Sequence, residues 1–154
     1  MIYQTDRRLN RNLNHYGCYF VSLAYFRPFR MGHDWTASEL QEAWLEAIRV
    51  GAITGDLNTD GDMDDDGEAV IVNPDLLCHV LGLPLKYKDG HFPLDTPIPE
   101  GAYVITEWYN PDTKFRHFVV GQKKPVQFDP IGGGSRTVRE GYPVSLRIYE
   151  RVEA

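Results

Sequence analysis

Cysteine is scarce: Cys18 and Cys78 are the only two in 154 residues. That is too few for the disulfide framework that staples small secreted domains, and a bridge between the two would rest on the count alone. No apolar run is long enough to span a membrane, and the N-terminal MIYQTDRRLNRNLNHYG holds no apolar stretch of signal-peptide length. No stripe of Lys and Arg runs along the chain either, which argues against binding to a DNA or RNA backbone. These absences predict a cytoplasmic protein whose partners include neither nucleic acid nor membrane.

What the chain does have is enough apolar material for a core. Hydrophobic residues make up 42% and aromatics 12%, and the length suits a single domain over residues 1–154. The net charge of −6 is a local effect, because seven of the 22 acidic residues lie between Asp56 and Glu68. The rest of the chain is close to neutral. An isolated anionic loop of this kind calls for a cation more than for a nucleic acid.

The apolar pattern changes period near Gly82. Before it, Gly17–Phe26 carries Phe20, Leu23 and Phe26 at helical spacing and is followed by Pro28. Thr36 and Glu39 have the spacing of a capping box ahead of a face formed by Leu40, Ala43, Trp44, Ala47 and Ile48, with Gly51 as the stop. A third helix is expected from the cap Asn73 and Pro74 to Gly82, and the AVIV run before it is expected to be a strand or a turn arm. Beyond Gly82 the runs LPLKY, AYVITEWY, FRHFVVG, PVQFD and VSLRIYERV read as strands divided by Pro, Gly and Asp. The expectation is an α+β fold in two layers, a helical half over about residues 1–82 and an antiparallel sheet over about 83–154.

The chemistry is expected at Cys18. A thiol at the start of a helix gains from the unpaired N–H groups there, and Gly17 before it permits a sharp entry into the helix. An imidazole beside the thiol would complete its activation. Of the five histidines, His117 lies within a strand, and Asp129 follows at the end of the next one, so adjacent strands could set the two side by side. His15 is too near Cys18 in sequence, His33 and His91 fall in expected loops, and His79 has no acidic partner at a useful spacing. Cys78, inside the third helix, reads as a core residue.

The segments NHYGCYFVSLAYF, RHFVVG and QFDPIGGGS, with VSLRIYE at the end, resemble papain-like cysteine peptidases. The chain is similar above all to the compact branch that includes the double-glycine leader peptidases of bacteriocin exporters, and to small papain-like proteins of phages and bacterial mobile elements. The resemblance implies a papain-like fold and a thiol hydrolase acting on a peptide or protein substrate, with Cys18 as nucleophile, His117 as base and Asp129 as the group that orients the base. A phage protein of this kind would be virion-associated. The leader peptidases carry a glutamine shortly before the cysteine to stabilise the oxyanion. Here the stretch holds Asn10, Asn12 and Asn14, and Asn14 with the backbone N–H of Cys18 is the expected donor pair. The rival expectation is a catalytically inactive binding module on the same fold.

Within the acidic loop, Asp56, Asn58, Asp60, Gly61, Asp62 and Asp64 take positions 1, 3, 5, 6, 7 and 9 of a calcium loop. Position 12 is Gly67 in place of a bidentate carboxylate, so Asp66 or Glu68 would have to substitute. A structural Ca2+ held by Asp56, Asn58, Asp60, Asp62 and Asp64 is expected, away from the thiol chemistry. IGGGSRT, after Asp129, lacks the Lys-Ser/Thr ending of a phosphate loop and reads as a flexible connection.

Overall fold

A computed structural model describes residues 1–27, 34–54, 70–121, 126–132 and 135–152. The elements in chain order are α1 (Arg11–Tyr16), α2 (Cys18–Ala24), α3 (Ala37–Arg49), β1 (Ile53–Thr54), β2 (Val70–Ile71), α4 (Pro74–Leu81), β3 (Leu85–Phe92), β4 (Tyr103–Asn110), β5 (Phe115–Val120), α5 (Arg136–Glu140) and β6 (Tyr142–Arg151). The fold is α+β. Four antiparallel strands form one sheet in the order β3-β6-β4-β5, and β1 and β2 pair in a small sheet of their own.

The helix starts follow local hydrogen bonding. At α3, Thr36 Oγ1 accepts from the Glu39 N–H at 3.1 Å while Glu39 Oε1 accepts from the Thr36 N–H at 2.9 Å, which completes the expected capping box. At α4, Asn73 Oδ1 takes the Leu76 N–H at 3.0 Å, and Gly82, in the left-handed region at φ 72°, ends the helix. The polar lead-in contains α1, capped by Asn10, whose side chain accepts from the Asn12 N–H. Two expectations need correction. PVQFD does not form a full strand: Phe128 makes a single bridge to Val120. The glycine-rich segment, expected as a plain loop, leads into α5 with Ser135 at its N-cap.

The helical half covers one face of the sheet. Leu13, Phe20 and Leu23 from α1 and α2 meet Leu40 and Trp44 from α3 and Leu77 and Leu81 from α4, and all of them close on Leu85, Ile105, Val120 and Tyr149 of the sheet. The Phe20 and Trp44 rings meet edge to face with centroids 5.2 Å apart. The opposite face is covered more thinly. There Val104, Leu146 and Ile148 pack with Phe92 and Ile98, while Trp108 and Val119 lie beneath Val138 of α5. Trp108 and Tyr109 lie close to the end of β4, which turns back after Asn110 into β5. The turn that follows is held by Asn110, whose Oδ1 accepts the Asp112 N–H at 2.9 Å and whose carbonyl accepts the Lys114 N–H at 2.7 Å.

Strand β5 is the sheet edge that positions the site. Its outward-facing backbone groups find partners off the sheet. The Phe118 carbonyl accepts from Ser22 Oγ of α2 at 3.1 Å, and Val120 exchanges bonds with Phe128 at 2.9 and 3.3 Å. Ser22 is fully buried. Replacing Ser22 with Ala leaves the Phe118 carbonyl without its donor in a dry interface. Urea denaturation should show a loss of about 1–3 kcal/mol with the m-value unchanged.

Candidate active site

Cys18 is the first residue of α2, and α2 lies against the β5 edge. The entry into the helix differs from expectation. Gly17 has φ −88° and ψ 12°, a conformation open to any residue, and its N–H still bonds the Leu13 carbonyl at 3.0 Å. What requires glycine is space: a Cβ there would collide with the Leu13 carbonyl oxygen and Cδ1. α1 therefore runs into α2 almost without a break, and Cys18 is held by both helices.

The thiol, the imidazole and the carboxylate form one series. His117 Nε2 lies 2.7 Å from Asp129 Oδ1, with both side chains almost completely buried. The other ring nitrogen is left for Cys18, and the thiol and imidazole are hydrogen-bonded. Cys18 is partly exposed as a residue, while its thiol lies against the buried imidazole. Burial pushes the Cys18 thiol up. The hydrogen bond and charge of His117, with the backbone N–H groups of Phe118 and Tyr19, outweigh burial and hold the thiol below its ordinary value. Burial alone would lower His117, but the hydrogen bonds and negative charges of Asp129 and Cys18 push it up to about 9. Burial likewise raises Asp129, and His117, the Ser135 hydroxyl and the Ile131 N–H together keep it below the usual carboxylate value. Opposite shifts on a contacting thiol and imidazole favour a thiolate–imidazolium pair.

Two of the groups holding Asp129 were not anticipated from sequence. Ser135 Oγ donates to Asp129 Oδ2 at 2.6 Å, and the Ile131 N–H donates to Oδ1 at 3.0 Å. Ser135 sits at the N-cap of α5 yet makes no side-chain capping bond, because its hydroxyl is turned to the carboxylate. The only hint in sequence is a hydroxyl residue six positions after Asp129 across glycines. A second buried polar group also went unread. Arg147 Nη2 meets Glu107 Oε2 at 2.7 Å, Arg116 pairs with the same carboxylate, and the Arg147 guanidinium stands 5.5 Å from the Phe118 ring centroid.

Asn14 is not placed as expected. Its Nδ2 gives both hydrogens to backbone carbonyls, that of Gln4 at 2.6 Å and that of Asp6 at 2.9 Å. No N–H of that amide is left for an oxyanion. Cys78 is buried in α4, and burial pushes its thiol up to about 12, the state of an inert core cysteine. The metal candidates Asp56, Asn58, Asp60, Asp62 and Asp64 lie outside the described residues, although Thr54 and Val70 on either side pair in the small sheet. Among the described residues, no three His, Cys, Asp or Glu side chains are grouped to hold a metal, and no helix is long and apolar enough to cross a membrane.

A family model described as "Protein of unknown function, DUF261" matches residues 1–151. The chain belongs to the DUF261 family. No curated protein and no solved structure matches it.

The His117–Asp129 contact should be visible in the pH dependence of stability. Because folding raises the His117 pKa, the pair supports the fold fully below the unfolded-state value of about 6.5, and that support fades as the pH rises through about 9. The stability gap between the natural chain and Asp129→Asn should therefore be widest near about pH 6 and close toward about pH 9 in urea titrations. A gap that does not change with pH would mean the imidazolium is not what Asp129 holds.

Proposed function

We propose that this chain is a thiol hydrolase with a papain-like arrangement, cleaving a peptide or amide bond in a peptide or protein substrate. One observation carries the reading: the Cys18 thiol, its pKa depressed, is hydrogen-bonded to an imidazole with a raised pKa, and a buried carboxylate holds the far side of that ring. The α+β order supports it as well, since the thiol stands at the start of a helix from the first half and the imidazole on a strand from the second.

In the proposed reaction the Cys18 thiolate attacks the carbonyl carbon of the scissile amide, and the carbonyl electron pair moves onto oxygen. The His117 imidazolium then gives its proton to the departing amine as the C–N bond breaks, leaving an acyl group on sulfur. Neutral His117 next takes a proton from water as the oxygen attacks the thioester, and the carboxylic acid leaves as the thiolate is restored. Asp129 keeps the ring oriented and favours its charged form throughout; Ser135 and the Ile131 N–H hold Asp129 in turn. With the Asn14 amide committed, the backbone N–H of Cys18 is the donor we assign to the oxyanion.

Competitive labelling tests the reading. With iodoacetamide near neutral pH, Cys18 should react at least about tenfold faster than Cys78, and His117→Ala should abolish most of that lead. Equal and slow labelling of both cysteines would rule out the enzyme and leave the binding module. Mass spectrometry of a peptide mixture should find new termini with the natural chain and none with Cys18→Ala. The Asp56–Asp64 loop stands beside this as a proposed structural calcium site resting on spacing alone; a melting temperature unmoved between millimolar calcium and chelator would end that proposal.

A further inference from the structure

The residues between the N-terminus and α1 take no part in the chemistry above, yet they touch both halves of the site. Tyr3 stacks on Phe128 with ring centroids 5.7 Å apart, and Phe128 stacks in turn on Tyr25 at the end of α2, at 4.7 Å. The Gln4 N–H donates to the Pro130 carbonyl at 2.7 Å. Residues 3 and 4 therefore grip the chain at 128 and 130, on either side of Asp129. The same segment is fastened to α1 by a reciprocal clasp. Asn14 Nδ2 donates to the Gln4 and Asp6 carbonyls, and Gln4 Nε2 donates to the Asn14 carbonyl at 2.9 Å. Asn14 lies four residues before Cys18, in the helix that continues through Gly17 into α2.

We propose that Asn14 and Gln4 are positioning residues: their clasp ties the helix carrying Cys18 to the loop carrying Asp129, and so sets the distance across which His117 is held. The proposal rests on the thiol-hydrolase reading and extends it to residues that touch no reacting atom. The physical case is one of constraint. Asp129 follows a single bridge, not a full strand, so sheet pairing alone gives its backbone little support. His117, Ser135 and the Ile131 N–H hold its carboxylate, and two flanking contacts from residues 3 and 4 add support to its backbone. The segment is fixed in turn by the Asn14 amide, which spends its two hydrogens on the carbonyls of Gln4 and Asp6. Gln4 is almost fully buried, and its Oε1 has no partner among the described residues, so its side chain is retained for the one bond that Nε2 makes.

The test is a double-mutant cycle read at His117 and Cys18. Asn14→Leu keeps a side chain of similar length and removes both donors. It should lower the imidazole pKa of His117, followed by NMR, by about one unit, and slow iodoacetamide labelling of Cys18 near neutral pH about tenfold. In an Asp129→Asn background the same substitution should change neither reading further, because its effect passes through Asp129. An equal effect in both backgrounds, or no effect on His117 in either, would overturn the proposal. Should Asn14→Leu fail to fold, Gln4→Met serves in its place, since it removes one donor and leaves no partner of Oε1 behind. Failure of the enzyme reading itself gives a different result: in the natural chain His117 would titrate near the ordinary value and Cys18 would label slowly.

Discussion

An unpaired sheet edge has to be satisfied, and here that requirement assembles the site. Strand β5 has β4 on one side only, so Phe118 and Val120 present backbone N–H and C=O groups away from the sheet. Helix α2 answers at Phe118, with Ser22 on the carbonyl and the Cys18 sulfur near the N–H. The chain at 127–128 answers at Val120. Each of these partners carries a reactive group with it: the helix brings the thiol, the returning chain brings Asp129, and His117 lies between them on the strand they both cover. The backbone pairing and the chemical series are therefore one arrangement.

The supports around the series are hydrogen bonds diverted from ordinary structural duty. Ser135 leaves the start of α5 without its side-chain cap in order to hold Asp129. Such a cap is worth about 1 kcal/mol at a helix start, so the diversion costs local stability that the buried carboxylate contact has to offset. The Cys18–His117 pair shows the same balance in its charges. Burial opposes ionisation of both groups; His117 keeps Cys18 ionisable, and Asp129 with Cys18 keeps His117 so.

Much of this was legible in the residues, for reasons tied to particular positions. The Thr36–Glu39 box and the Asn73-Pro74 start are local signals, and local hydrogen bonds decide helix ends, so α3 and α4 begin where those residues indicate. The change from helical to alternating pattern at Gly82 located the boundary between the two halves. Cys18 and His117 could be picked out because a helix start and a strand interior are visible in pattern, and Asp129 because it closes an apolar run, although that run makes only one bridge. Asn14 was misassigned because nothing in spacing reveals that two distant carbonyls, of Gln4 and Asp6, would claim its amide. Gly17 was read as a conformational hinge, whereas a steric limit set by Leu13 is what requires it. Ser135 and the Glu107–Arg147 pair depend on tertiary approach across 6 and 40 positions, which no local pattern encodes.

Covering the β5 edge also bears on solubility. An exposed strand end with free donors and acceptors is a template for another chain, and proteins generally blunt it with charge or cover it. At the far edge β3 carries Lys86 and Lys88, while at β5 the cover is α2 itself. Any event that lifts α2 away would separate the Cys18 thiol from the His117 imidazole and, in the same movement, bare a strand ready to recruit a neighbour. Loss of the thiol–imidazole contact and self-association would then share a single first step, and a population losing that contact would be the population entering aggregates.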